Sequence, residues 1–186
     1  MKYEAERIYI RAWTLEDAGL LQEFQLGNRE EIERTSAGHR NEAFYSLDGQ
    51  SRLIEKWLEL RKEGKRHSFG IFLKDTDELV GEISLFRIEL NGAEKWVIGY
   101  ATDRQHHGKG YMSEALKRVL QYAKHEMNIT QVEAGAVPDN IGSIRVLLKA
   151  GFQESGTHDV PIQGVMKKHT MFTISLTDVE EGKSIE

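Results

Sequence analysis

Two glycines separated by one residue stand in the run Gln105-His106-His107-Gly108-Lys109-Gly110-Tyr111. Glycine lets a backbone approach a ligand with no Cβ in the way. Directly after them, Met112, Ala115, Leu116, Val119, Ala123 and Met127 recur at helical spacing. A helix start leaves its first amides unpaired and carries the positive end of the helix dipole. A glycine-bearing loop that feeds such a start suits an anion of the pyrophosphate type, and Lys109 adds a positive charge. A plain tight turn would use the same two glycines. Two familiar phosphate motifs do not fit. G-x-x-x-x-G-K-[ST] is absent, and Gly110 is followed by Tyr111, Met112 and Ser113, which breaks G-x-G-x-x-G.

Other groups able to move protons or hold ions are few. Glu82 lies in the alternating run Val80-Gly81-Glu82-Ile83-Ser84-Leu85 and shares parity with Val80 and Ser84. Such a carboxylate is either a solvated sheet-face group or a base. Of seven histidines, His106 and His107 are adjacent, and no H-x-x-x-H or H-E-x-x-H spacing occurs, so no metal is expected. The chain has no cysteine, which excludes disulfides, thiolate metal sites and cysteine nucleophiles. Trp13, Trp57 and Trp96 read as core residues.

The elements that must position these groups follow from periodicity. Arg7 to Arg11 alternates as a strand. Thr14 with Asp17 reads as a variant capping box ahead of a helix carrying Leu15, Ala18, Leu21 and Phe24. Residues 27–50 read as mostly irregular. Ser51 is expected to cap a second helix, with Leu53, Ile54, Trp57, Leu58 and Arg61 on one face and a stop near Gly64. Three strands, Ser68 to Leu73, Leu79 to Ile88 and Trp96 to Thr102, form an antiparallel meander, with Asn91-Gly92 as a hairpin signal. The helix from Gly110, a strand from Val132 to Val137 and a helix from Asn140 to Lys149 come next. A closing pair, Phe152 to Val160 and Lys167 to Leu176, completes the chain. The order β-α-α-β-β-β-α-β-α-β-β predicts an α+β fold, a mixed and mainly antiparallel sheet with helices on both faces. With 186 residues and no linker, a single domain over 1–176 is expected, followed by a polar tail at 177–186.

Composition narrows the partners. A net charge of −5 and a pI near 5.8 argue against a nucleic-acid surface. No apolar run approaches the ~20 residues of a membrane span. Met1 to Arg7 lacks a secretory stretch, so a cytoplasmic location is expected. Exposed sheet edges are compatible with a homodimer.

Gln105-x-x-Gly108-x-Gly110, after a strand and opening a helix, resembles the Q/R-x-x-G-x-G/A signature of the GNAT (Gcn5-related) N-acetyltransferases. Asn140-Ile141-Gly142-Ser143, followed by Leu148-Lys149-Ala150-Gly151-Phe152, resembles their second signature, N-x-x-S…GF. Ile98-Gly99-Tyr100, the run Gly108 to Ala115 and Ile8 to Trp13 are similar to the RimJ/RimL branch, which acetylates ribosomal-protein N-termini. The resemblance spans about residues 6 to 176.

That resemblance implies acetyl-CoA as donor. Backbone groups of the strand bearing Ile98, Tyr100 and Thr102 would meet the pantetheine arm. Gln105, His106, His107, Gly108, Lys109, Gly110 and Tyr111 would form the pyrophosphate loop. Asn140 and Ser143 would lie near the thioester sulfur. Many members carry a Tyr seven residues after the Asn as acid; here that position is Leu147, so the acid role passes to Ser143. Relatives often have Glu before Ile-Gly-Tyr, where this chain has Val97. The base is then Glu82 or a water relay. Transfer to an amine is implied, most directly a peptide or protein α-amino group. A polyamine, an aminoglycoside or a catalytically silent acyl-CoA-binding module are the alternatives, with a nucleotide-binding regulatory domain as a third class. Glu30, Glu31, Glu33, Glu42, Asp48, Glu89, Glu94 and Asp159 fall in the segments expected to face the acceptor and predict an acidic rim.

Overall fold

The structure, a computed structural model, describes residues 1–90 and 92–177. Among them the strands form one eight-stranded sheet in the order β1-β2-β3-β4-β5-β6-β8-β7. These are β1 (Lys2–Glu4), β2 (Ile8–Ala12), β3 (Arg66–Leu73), β4 (Leu79–Leu90), β5 (Ala93–Thr102), β6 (Gln131–Ala136), β7 (Gln153–Ile162) and β8 (Val165–Ser175). The helices are α1 (Ala18–Gly27), α2 (Arg29–Thr35), α3 (Leu47–Lys62), α4 (Tyr111–His125) and α5 (Ile141–Lys149). Every neighbouring pair is antiparallel except β5 with β6. The expected α+β architecture and the meander of β3, β4 and β5 are present.

Two apolar clusters hold the helices to the sheet. The stripe of α4, with Ala115, Leu116, Val119 and Ala123 fully buried, packs with Ile83, Leu85, Ile98 and Leu147. Trp13, Leu21, Phe24, Ile54 and Trp57 join α1 and α3 in the second cluster. Burying each leucine, isoleucine, valine or phenylalanine among them contributes roughly 1.5–3 kcal/mol. Leu15 is left half exposed, because it falls in a 3-10 turn ahead of α1. The Asp17 carboxylate accepts from both the N–H and the hydroxyl of Thr14 and pairs with Arg11 at 2.7 Å.

Three local expectations need correction. Residues 27–50 are not mostly irregular: α2 and a 3-10 turn at Glu42–Tyr45 occupy them. Only Ile32 of α2 is buried, so no apolar stripe marks that helix, and the Arg29–Glu33 pair supports it instead. The cap of α3 is Ser46, whose hydroxyl accepts from the Gly49 amide at 3.0 Å. Ser51 lies inside the helix and donates back to the Leu47 carbonyl. Gly49 is a close approach, since a Cβ there would clash with the Ala43 and Phe44 carbonyl oxygens. Finally, β1 precedes the first expected strand and buries only Tyr3. Asn91 and residues 178–186 of the expected tail lie outside the described residues. No helix among the described residues is long and apolar enough to cross a membrane.

Candidate active site

β5 ends at Thr102, and the chain reaches α4 through a 3-10 turn, Arg104–His106, and the two glycines. Gly108 and Gly110 have φ of +75° and +84°, a region that side chains disfavour. Gly110 is the N-cap of α4. The amides of residues 108–113 make no backbone hydrogen bond among the described residues. A Cβ built on Gly108 would meet nothing within 4 Å, so the cradle is open on that side. Unpaired amides at a helix start fit a phosphate group.

Two sets of side chains hold this loop. Arg7 Nε donates to Glu114 Oε1 at 2.6 Å, its backbone N–H to Glu114 Oε2 at 2.9 Å, and its Nη2 to the Lys109 carbonyl at 2.9 Å. Its guanidinium also stacks 4.8 Å from the Tyr111 ring centroid. Below the loop, Asp103 Oδ1 accepts from Asn28 Nδ2 at 3.1 Å, and Asn28 Oδ1 accepts from the Arg104 amide at 2.8 Å. His106 Nδ1 is 3.0 Å from Asp103 Oδ2. Burial alone would raise the Asp103 pKa, but the bonds from Asn28, His106 and the Gln105 amide outweigh it and hold it below the usual carboxylate range.

The expected phosphate ligands therefore divide. The His106 ring is 7% exposed, and its amide donates to the Asp103 carbonyl, so both groups anchor the loop from beneath. His107 is exposed and sets its Nε2 3.0 Å from the Thr102 carbonyl. Gln105 and Lys109 are exposed. The Lys109 ammonium forms no ion pair among the described residues. The Tyr111 ring lies between Arg7 and His106.

Beside the loop the sheet opens. β5 and β6 pair only at Val97 and Glu133, next to an ion pair of Lys95 with Glu133 at 2.6 Å. Beyond that point Ile98 to Thr102 and Ala134 to Ala136 diverge, although each stays paired on its other side. The β6-facing edge of β5 is thus left without a ladder partner, directly leading to the glycine loop. Unpaired backbone groups in a narrow gap suit an amide-bearing chain.

At this gap α5 brings Ser143 to β5. Its Oγ lies 3.0 Å from the Tyr100 hydroxyl, which also lies 3.3 Å from the Ser143 carbonyl. Burial pushes the Tyr100 pKa up to about 12, so the phenol is protonated at neutral pH. Asn140 Oδ1 accepts from the Ser143 amide at 3.1 Å, which makes Asn140 the cap of α5. Leu147 is buried in the main core. Sequence reasoning placed Tyr100 on the cofactor strand but missed its contact with Ser143.

Glu82 is not brought to Ser143. Cross-strand partners share a face, and Ile83 pairs with Tyr100 while Glu82 pairs with Ala101, so Glu82 and the Tyr100 that meets Ser143 leave the sheet on opposite faces. Glu82 Oε1 accepts from Gln25 Nε2 of α1 at 3.4 Å, and Oε2 has no partner among the described residues and no solvent contact. Burial raises its pKa, against the pull of Arg66, Arg40 and Gln25. Glu82 thus faces α1 from β4, while Ser143 meets β5 through Tyr100.

The expected acidic rim is largely neutralised. Glu33 and Glu42 pair with Arg29, Glu31 with Arg34, Asp48 with Arg52, and Glu94 with Arg87. No set of three or more His, Asp or Glu side chains that would hold a metal occurs among the described residues.

Comparison with known proteins adds to this geometry. The profile of the family described as acetyltransferase (GNAT) domain matches residues 7–153. The chain is 37% identical over 180 residues to the probable N-acetyltransferase YjcK of Bacillus subtilis (strain 168), covering 96% of this chain and 99% of that one. It is 24% identical over 185 residues to the [ribosomal protein uS5]-alanine N-acetyltransferase of Escherichia coli (strain K12), covering 98% and 95%. The structure of Mycobacterium smegmatis RimJ in complex with CoA-disulfide superposes with a TM-score of 0.85 at 19% identity, over 94% of this chain and 84% of that one.

Proposed function

The chain belongs to the GNAT acetyltransferase family and is an N-acetyltransferase, and we propose that it moves an acetyl group from acetyl-CoA to the α-amino group of a peptide or protein. The observation that carries the donor assignment is the parting of β5 from β6 beside the unpaired amides of residues 108–113. The solved relative whose fold it shares is described in complex with a CoA derivative. In this reading Ile98 to Thr102 offer backbone groups to the pantetheine arm. The amides of Gly108 to Ser113 hold the pyrophosphate, with Lys109 adding charge.

Bound acetyl-CoA supplies a thioester carbonyl and a thiolate leaving group. The chain's own residues divide the proton work between the two faces of the sheet. On the α1 face, Glu82 receives the acceptor ammonium and takes its proton. On the other face, Ser143 Oγ donates a proton to the departing sulfur and is resupplied by the Tyr100 hydroxyl 3.0 Å away, which regains its proton from the solvent that takes the second proton released by the amine nitrogen. A base and an acid on opposite sides of the reaction centre avoid neutralising one another. The Tyr100 phenol also compensates for Leu147, where a family acid is often found.

The acceptor class rests on chemistry and kinship. An α-amine with a pKa near 8 has a neutral fraction at pH 7 about 10²-fold larger than a Lys side chain near 10.4. A single half-buried carboxylate such as Glu82 suits the easier deprotonation. The relative from E. coli is named as an alanine N-acetyltransferase of ribosomal protein uS5. The rim carboxylates are mostly engaged by arginines, which disfavours a polycation as acceptor. Thiol release from acetyl-CoA with Ser-, Ala- and Met-starting peptides, spermidine and an aminoglycoside tests the assignment. Release with at least one peptide, exceeding that with both small amines, is expected. No release with any peptide contradicts it.

A further inference from the structure

Four side chains, joined as the pairs Gln25–Glu82 and Arg40–Gln163, have buried polar atoms with no hydrogen-bond partner among the described residues. Two offer acceptor oxygens: Glu82 Oε2 and Oε1 of Gln25, a side chain in a residue only 2% exposed. Two offer donors: Arg40 Nε and Nη1, and Gln163 Nε2. Glu82 and Gln25 are bonded to each other, and the Glu82 carboxylate feels the charge of Arg66 and, more weakly, that of Arg40. Unpaired buried polar atoms are costly, so these groups of both kinds call for a ligand that pairs them.

The donors are held by a strap across the two halves of the fold. The Gly38 amide donates to the Pro161 carbonyl at 2.9 Å, and the Gln163 amide to the Gly38 carbonyl at 2.8 Å. The Arg40 amide then donates to Gln163 Oε1 at 3.2 Å. Gln163 sits at φ +47° in the β7–β8 turn, and Arg34 of α2 pairs with Asp139 before α5 at 3.2 Å. The Arg40 guanidinium lies 5.1 Å from the Phe44 ring centroid, which orients its plane. Residues 36–41 thus tie the α1–α2 side to the β7–β8 hairpin.

We propose that Arg40, with Gln163, is a specificity-determining residue that donates to the first carbonyl oxygen of the acceptor while Glu82 and Gln25 receive its amine. This deepens, and rests on, the α-amine reading above. An amino-terminal residue carries a donor amine and an acceptor carbonyl separated by one carbon, matching both kinds of unpaired group. A Lys side chain or a polyamine offers donors alone and leaves the Arg40 and Gln163 donors unmet. Rejection of a substrate that cannot pair buried polar groups is a strong form of discrimination.

The test compares an alanine-starting tripeptide amide with sec-butylamine, which keeps the branched amine but lacks the carbonyl. Wild type, Arg40→Ala and Arg40→Lys are assayed for kcat and KM. Because each acceptor is compared with itself across variants, the difference in amine pKa cancels. The peptide-to-amine ratio of kcat/KM is expected to fall roughly 10- to 100-fold in Arg40→Ala, mainly through peptide KM, as for loss of a charged hydrogen bond. Arg40→Lys, which keeps the charge but not the planar fork, is expected to recover only part of it. Equal losses on both acceptors, or an unchanged peptide KM, overturn the carbonyl contact. If wild type does not turn over sec-butylamine, peptide KM in the variants decides alone. Wild type that acetylates polyamines or Lys side chains but no peptide N-terminus contradicts the acceptor class itself, a different outcome from failure of the Arg40 contact.

Discussion

The Tyr100 hydroxyl of β5 and the Ser143 hydroxyl of α5 lie 3.0 Å apart across the gap between β5 and β6. Neither alone makes a strong acid, because a serine hydroxyl is a weak donor and the buried phenol has a pKa of about 12. Together they form a short relay in which the proton lost from Ser143 Oγ is replaced at once. Ser143→Ala should lower kcat on the order of 10²-fold with acetyl-CoA affinity nearly unchanged. Groups that act as a unit are non-additive, so Tyr100→Phe in the Ser143→Ala background should cost little more. Steady-state kinetics of the two single variants and the double variant check this, and multiplicative losses would separate the two roles.

Glu82 should set the acid limb of the pH profile. Burial raises its pKa above the ordinary 4.5, and a base works only when deprotonated. Activity should therefore rise with pH through that raised value. In Glu82→Gln the limb should disappear and kcat/KM should fall at neutral pH by about 10²-fold. A limb that persists unchanged in the variant assigns the proton to another group.

The glycine loop should fail in two distinguishable ways. Gly110→Val forces a β-branched residue to φ +84° and puts a Cβ 3.1 Å from Arg7 Nη2. Such strain costs on the order of 1–3 kcal/mol and should weaken CoA binding by about 10-fold or more. Arg7→Ala removes the clamp on Lys109 and Glu114 while leaving the glycines intact. It should weaken CoA binding more mildly, by roughly 3- to 10-fold, as for a loss of one or two partly exposed hydrogen bonds. Calorimetric titration with CoA reads both, and circular dichroism verifies that each variant folds.

Acid sensitivity should come in part from His67. It is buried beside Tyr122, whose hydroxyl lies 2.8 Å from His67 Nδ1, and burial together with Arg61 lowers its pKa to about 4. The unfolded chain holds the ordinary value of 6.5, so between these limits the unfolded state binds the extra proton. The stabilisation is full above pH 6.5 and is lost as pH falls toward 4. A difference in thermal midpoint between wild type and His67→Gln should narrow across that window. A constant difference would show that His67 does not titrate with unfolding.

Much of this was legible in the sequence because periodicity reports burial. The stripe of α4 and the alternation of β3 to β5 mark elements with one face in the core. The two glycines could be read because each is a local backbone demand, whereas the capping role of Asn140 came only with the structure. What escaped is what burial does not mark. α2 hides because only Ile32 is buried, and its stability comes from arginine–carboxylate pairs. Arg7 and Glu114 meet across 107 positions, as do Arg40 and Gln163 across 123, and no local pattern encodes such contacts. The resemblance puts His106 in the pyrophosphate loop, beside the glycines. The fold turns it inward because Asp103, three residues earlier, offers it a carboxylate.

Transfer of an acetyl group to an α-amine can be read from the position of the label on a peptide that offers both kinds of amine. A peptide with a free N-terminus and an internal Lys is incubated with the protein and isotope-labelled acetyl-CoA at pH 7. Fragment-ion mass spectrometry then follows where label appears with time. Label is expected first and mainly on the N-terminal nitrogen, with the Lys side chain lagging by a large factor. Label appearing first on the Lys side chain would contradict it, and so would an unlabelled peptide under conditions where spermidine or an aminoglycoside is acetylated.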